Sequence, residues 1–436
     1  MTISKETILD ILAKTANEDL YKSDELIIIY LVSLETKWRI TMSQRVPIRN
    51  IKTIFYLVCF SAFFGSLAQN IYIPVIPTIK ELFNTSLPLV NLSVSAFTFV
   101  LAVMQIVYGS LADSKGRKAI LLPGLAISVI GSIGCAMTSD IYGLIFFRVI
   151  QAIGIAAVPV IAATIIGDLY EDQHRAKAIS TYQMLLTLAP AYGPLLGGYL
   201  AEWNGYVAIF QFLAIIGGIL IIGNLFWLPE TKPIQPENSQ NAHFYFRRIL
   251  SDRIAQSVFC ISFMLFYCYF CFLTFLPIIL NSEYNFNSAD IGWMYIPMSF
   301  AMIAGSYSYR LIHQRFSQRN GIIVSSLLNL VLILLFAMTY QFGISTLIVV
   351  TALYGFTLGL STPTHAALLL ARFVEERATV IGLYNFIRYI GMAVGPMTGS
   401  FLLFNNHYEW IFLVGAVLFA LAIGFTIIMT QRHDKQ

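Results

Sequence analysis

The sequence predicts an all-α membrane protein with twelve transmembrane helices in two pseudo-symmetric six-helix bundles. Three observations predict it. The 436 residues are 57% hydrophobic and only 11% charged, with mean hydropathy +0.73, whereas soluble domains carry about 25% charged residues. Apolar runs long enough to span a bilayer recur without alternation, which excludes barrel strands and leaves helices. The chain also repeats itself. At a shift of 202 residues, Arg175, Ala176, Tyr182, Gly193, Pro194 and Gly197 meet Arg377, Ala378, Tyr384, Gly395, Pro396 and Gly399. Shared apolar composition does not put identical Gly-Pro pairs in register, so the chain is a duplicated six-helix unit.

The spans fall at 52–77, 88–110, 118–138, 141–168, 177–201, 206–228, 254–280, 289–312, 320–340, 344–370, 378–404 and 409–430. Domain boundaries follow: a bundle over 51–228, a polar, proline-bearing linker over 229–253, a second bundle over 254–430 and a tail at 431–436. Residues 1–50 form a separate extension whose one apolar run, LIIIYLVSL, is too short to span. Two readings stay open for it: an amphipathic helix lying on the bilayer, or a start of translation at Met42. Lysines and arginines gather in loops 2–3, 4–5, 6–7, 8–9 and 10–11, while the opposite loops carry Lys80 and otherwise acids. The positive-inside rule places both termini in the cytoplasm. The net charge of +4 is spread over these short loops and does not point to nucleic acid. The five cysteines lie inside apolar runs and fit free buried thiols, not a disulfide framework or a metal site. Neither a nucleotide loop nor a hydrolase or metalloprotease motif is present, so an enzyme is not expected and no cofactor or metal is implied.

The ten residues GSLADSKGRK, Gly109 to Lys118, form a charged hairpin between the second and third spans. Gly109 and Gly116 are suited to close approach or positive φ, and Asp113, Lys115, Arg117 and Lys118 supply the charge. This stretch resembles the loop 2–3 signature of the major facilitator superfamily of secondary transporters. The fifth span carries AYGPLLGGYL after Pro190. That segment is similar to a motif of the superfamily's drug:proton antiporters, in which Gly193, Gly197 and Gly198 admit a neighbouring helix while Pro190 and Pro194 remove backbone donors and kink the helix. Gly395, Pro396 and Gly399 are its copies. RVIQAIG, from Arg148, is similar to the family's R-x-x-Q-G-x-G, with Ala152 in place of a glycine. LAQNIYIPVIP, from Leu67, is similar to a segment of the bicyclomycin-resistance (Bcr/CflA) subfamily, with Asn70 where that subfamily has a membrane-embedded Asp.

The resemblance implies alternating access by rocking halves, with a small-molecule substrate exported across a cytoplasmic membrane in exchange for protons, by a monomer in the lipid bilayer. It implies a conformational latch in which Arg117 pairs with Asp168 and Asp113 caps the eleventh span, together with Gly109, Gly116 and Lys118. Candidate cavity residues are Gln69, Asn70, Tyr72, Arg148, Gln151, Tyr182, His365, Tyr384, Asn385 and Arg388. Arg148 is expected at the depth of Gln69, Asn70 and Tyr72, facing the cavity. His365 is expected neutral beside a hydroxyl, with a proton-responsive role as the alternative. No acid lies mid-membrane, which weakens a simple carboxylate proton carrier. The alternatives are a dedicated carrier of one nutrient, siderophore or metabolite, and, from another class, a membrane sensor or pore.

Overall fold

The computed structural model describes residues 51–170, 172–232, 242–312, 318–373, 377–403 and 407–433. The expectations for residues 1–50, including the Met42 start, lie outside the described residues. Among the described residues the secondary structure is helical, without a β-strand. The chain forms the twelve-helix, two-bundle fold that the repeat requires.

The first span does not run as one helix. It divides into α1 (Ile51–Asn70), a 3₁₀ turn (Ile73–Val75) and α2 (Ile76–Leu82). Pro74 and Pro77 withhold two amide donors there, which ends the regular ladder. The second and third spans are α3 (Leu87–Lys115) and α4 (Arg117–Met137), separated only by Gly116. The fourth is interrupted at Ala156, giving α5 (Ile141–Ile155) and α6 (Ala157–Leu169). Pro159 lies just beyond and cannot donate to Ile155. The fifth and sixth spans form α7 (Asp172–Trp227), broken at Asn204 and Gly205, whose φ of 65° needs a glycine. Backbone angles stay helical through Pro190 and Pro194.

The linker, expected only to be polar and proline-bearing, contains a short helix, α8 (Ala242–Ser251). The second half follows as α9 (Arg253–Tyr284), α10 (Ser288–Ile312), α11 (Gln318–Thr339), α12 (Ile344–Arg372), α13 (Arg377–Leu402) and α14 (Glu409–His433). Nine described stretches are long and apolar enough to cross a membrane, and one of them, Lys177–Trp227, holds two spans. The spans outside this set are α10 and α13, which carry Asp290 and Arg388 among their apolar residues. Large apolar side chains such as Phe60, Phe146, Ile219, Phe300 and Leu421 are exposed on the outside, as a lipid-facing surface requires. The aromatic seventh span does the opposite. Phe259, Phe266, Tyr267, Tyr269, Phe270, Phe272 and Phe275 of α9 are all buried in protein.

Contacts define two faces. On the far face, Tyr206 Oη donates to the Thr138 carbonyl at 2.6 Å, and Tyr284 Oη to the Tyr340 carbonyl at 2.7 Å. The near face carries the first residue of α1 and the last of α14. The halves meet through α3 against α13 and α7 against α10. Polar contacts across this seam are Asn91 Nδ2 to Ser400 Oγ at 2.7 Å, Trp293 Nε1 to Tyr199 Oη at 2.9 Å, Thr78 Oγ1 with Ser288 Oγ at 3.4 Å and Gln69 Nε2 to Met392 Sδ at 3.9 Å. All four lie in the part of the molecule nearer the far face. A side chain at Gly198 would strike the Ser288 carbonyl, and one at Gly292 would meet the Pro194 carbonyl. The halves are thus joined backbone to backbone at that end. Along α13, Gly391, Met392 and Ala393 are buried, whereas every residue from Asn385 to Ile390 is half-buried. The polar contacts of the seam thus gather toward the far face, and α13 is less enclosed over Asn385–Ile390 before Tyr384 and Val380 are buried again.

Candidate functional site

Three polar groupings emerge from the expected site residues. The first is the hairpin at the near face. Gly116 adopts φ 101°, and a Cβ there would lie 2.6 Å from Glu230 Oε2. Arg117 Nε donates to Asp168 Oδ2 at 2.9 Å, and its Nη1 donates to the Ala112 carbonyl at 2.8 Å. Lys118 Nζ donates to the Leu225 carbonyl at 2.7 Å. Glu230 is the residue the sequence reading missed. Its carboxylate accepts the backbone N–H groups of Arg117 at 2.8 Å, Lys118 at 3.2 Å and Lys232 at 2.9 Å. It caps α4, where the helix dipole favours negative charge. Thr231 Oγ1 adds a bond to Asp168 Oδ2 at 3.2 Å. No local spacing announces this, because 113 residues separate Glu230 from Arg117. Gly109 departs from expectation. It has no positive φ, and a Cβ there would meet open space within 4 Å. The side chain of Asp113, expected to cap the eleventh span, lies outside the described ones.

The second grouping surrounds Arg148, which is 0% exposed. The expectation that it faces a cavity is corrected here: it is enclosed inside the first half. Its guanidinium carbon lies 4.0 Å from the Phe97 ring centroid, 5.0 Å from Tyr72 and 6.0 Å from Phe210. Nη1 donates to Gln151 Oε1 at 2.8 Å and to the Ala68 carbonyl at 3.3 Å. Gln151 Nε2 continues to Ser132 Oγ at 2.8 Å, and Ser93 Oγ donates to Tyr72 Oη at 3.2 Å. Arg148 does share the depth of the α1 end, but its partner is Ala68. Asn70 turns away, giving its Nδ2 to the Ser66 carbonyl at 2.7 Å. Aromatic faces stand in for a carboxylate, since cation–π attraction strengthens in a dry site. Tyr182 belongs to neither grouping, because its hydroxyl donates to the Pro159 carbonyl at 3.0 Å.

The third grouping lies in the second half. Ser262 on α9 bonds His365 Nδ1 on α12 at 2.9 Å, and His365 is fully buried. On α13, Arg388 Nη1 donates to Asn385 Oδ1 at 3.1 Å. Its guanidinium carbon stands 4.2 Å from the Phe266 centroid and 5.3 Å from that of Tyr384. Tyr384 Oη reaches the Thr362 carbonyl at 3.4 Å. The packing glycines bring these helices together. A Cβ at Gly193 would lie 2.8 Å from Asn70 Cβ, and one at Gly197 would strike the Ile71 carbonyl. In the repeat, Gly395 faces the Tyr267 carbonyl and Gly399 lies 2.6 Å from Phe275 Cε2. Matched glycines thus seat the fifth span on the first and the eleventh on the seventh. Pro194 and Pro396 follow them in the same register. No cluster of His, Cys, Asp or Glu that would hold a metal occurs among the described residues.

The family model described as Major Facilitator Superfamily matches residues 58–338 and 258–436. Citrate exporter 1 of Aspergillus niger is 31% identical over 179 residues, 41% of this chain and 34% of that protein. Multidrug resistance protein D of Escherichia coli is 30% identical over 43% of this chain and 47% of its own. The MFS antiporter QDR2 of Candida albicans is 27% identical over 58% of this chain and 57% of its own. The aligned parts therefore span between a third and somewhat over half the length of these relatives. Among solved structures, a bacterial homologue of the human lysosomal transporter Spinster, inward-facing and unoccupied, superposes with a TM-score of 0.75 at 16% identity. That superposition covers 89% of this chain and 98% of that one.

Proposed function

Because the chain belongs to the Major Facilitator Superfamily, and is therefore a multi-pass membrane transporter, we propose that it exports small amphipathic compounds from the cytoplasm in exchange for protons. In this reading the membrane is the cytoplasmic one, both termini lie inside, and the near face is the cytoplasmic face. The observation that carries the reading is the seam. The halves interlock at one end, through Gly198 and Gly292 against main chain, and their polar contacts gather toward that end. On this reading the chain stands in one of two alternating states, open to the near face. Switching requires the far-face contacts to part and the near face to close. The Arg117–Asp168–Glu230 cluster keeps the near-face ends of α4, α6 and α7 rigid during that swing. Export and multidrug resistance in the names of the relatives support the direction and the substrate breadth.

A second reading, a dedicated carrier of one metabolite, draws support from the citrate exporter among those relatives. Purified protein in proteoliposomes separates them. A broad exporter moves several unrelated compounds, and an imposed pH gradient drives them. Flux of one compound alone supports the dedicated carrier. Flux unaffected by the gradient, across the whole set, removes proton exchange.

A further inference from the structure

Resting on the transport reading above, we infer that Arg388 anchors the negatively charged head of the substrate, and that the substrate class is amphipathic organic carboxylates. The argument begins with charge. α9, α12 and α13 converge on Arg388, and between them they hold one acid, Glu283, at the far-face end of α9. A guanidinium stays charged at any working pH and is costly in a low-dielectric interior without a counter-charge. The protein offers it an amide oxygen from Asn385 and two ring faces, and its buried Nε has no partner. His365, 0% exposed, uses Nδ1 on Ser262 and leaves Nε2 without one. Both nitrogens are buried and unpartnered, but His365 is enclosed, so of the two residues Arg388 is the one open to a ligand.

Access distinguishes Arg388 from Arg148. Arg148 also lacks a carboxylate, but three rings seal it at 0% exposure. Arg388 is half-buried, within the less enclosed stretch of α13. A guanidinium fork matches a carboxylate in two parallel hydrogen bonds. Phe266 and Tyr384 flank the fork but are themselves buried, so the apolar body of a ligand lies along the half-buried Asn385–Ile390 stretch of α13. A cationic drug meets like charge at the same place.

The test uses the full chain in detergent and matched probes: benzoate, 4-phenylbutyrate and octanoate, each beside its amide and its amine. Apparent affinities come from the rise in unfolding temperature with ligand concentration. At least one acid binds about tenfold or more tighter than its amide, as a charge-assisted pair gives. Arg388→Gln brings that ratio to about one, and Arg388→Lys keeps part of it. In wild-type protein, which avoids any folding defect of the variants, the acid slows phenylglyoxal modification of Arg388 and the amide does not. The proposal is overturned if no acid exceeds its amide, if an amine binds best, or if Arg388→Gln keeps the preference. Proteoliposome flux tells the two readings apart. Acids bound but never moved leave the anchor standing and remove transport of this class; amines moved while acids are ignored do the reverse.

Discussion

Glu230 accepts the amide groups of Arg117 and Lys118 at the start of α4 and those of Thr231 and Lys232 after itself, and Gly116 leaves the space it occupies. Removing the carboxylate with Glu230→Ala removes a helix cap, a loss of about 1–2 kcal/mol. Gly116→Ala is the harsher change, because it combines positive φ with a Cβ inside contact distance of the same carboxylate. Scanning fluorimetry in detergent is expected to rank unfolding temperatures as wild type, then Glu230→Ala, then Gly116→Ala. Arg148 gives the opposite kind of prediction. Replacing an enclosed charge by an apolar residue of similar length is often neutral or stabilising. Arg148→Met is therefore expected to unfold no earlier than wild type while its flux falls, with Arg148→Lys intermediate because it loses the planar fork. Wild-type flux from Arg148→Met means that the cage is structural only. Arg117, Asp168 and Arg148 were legible in the sequence because charge stands out among apolar residues. Glu230 was not, since its proline-bearing context reads only as a helix exit. The cage was not either, because Phe97 and Phe210 look like any lipid-compatible aromatic.

At the scale of helices, glycine register decides which pairs touch. Gly193 seats α7 on Asn70 of α1, and Gly395 seats α13 on α9. Leu at Gly193 is expected to leave membrane insertion near normal and to stop flux, since overpacking of about 1–3 kcal/mol is borne by a long helix better than by a moving contact. Comparing membrane abundance with flux per molecule checks this. Asp252 and Arg372 pin α9 to α12 on the near face. Asp252 Oδ1 caps α9 through the Ala255 N–H at 2.9 Å, and Oδ2 meets Arg372 Nη2 at 2.6 Å. Burial pushes the Asp252 pKa up, but Arg372 and the backbone donors outweigh it and hold the carboxyl below its ordinary value. A depressed carboxyl stabilises the fold above its unfolded pKa and loses that contribution as pH falls through the folded one. The stability gap between wild type and Asp252→Asn is therefore expected at neutral pH and closes below about pH 4, read from unfolding temperatures across that range. The spans themselves were legible from length and hydropathy. The breaks at Ile71–Tyr72 and Ala156 were foreshadowed only by prolines, whose effect on a helix depends on what neighbours supply the missing bonds.

At the scale of the whole molecule, the duplicated halves were legible from Gly-Pro pairs in register, while the state of the seam was not, because register says nothing about which end is shut. The seam is closed where Gly198 meets Ser288 and Gly292 meets Pro194. Gly198→Leu is expected to hold the far face ajar, so that a cysteine at Ala289 reacts with a membrane-impermeant maleimide faster than it does behind the native glycine. Unchanged labelling means that the contact is not the closing element. The same feature limits how the protein can recover from damage. At Gly193 the first obstacle is the Asn70 Cβ, which Asn70→Gly alone removes, with the Asn70 and Ile71 main chain next at 3.2 Å. At Gly198 the three nearest atoms all belong to the main chain of Ser288 and Ala289, which every residue possesses. No substitution at either position gives the lost space back. Second-site suppressors of Gly198→Leu must therefore arise elsewhere, among residues that retilt α7 or α10, and a selection for restored growth should return none at residues 288 and 289.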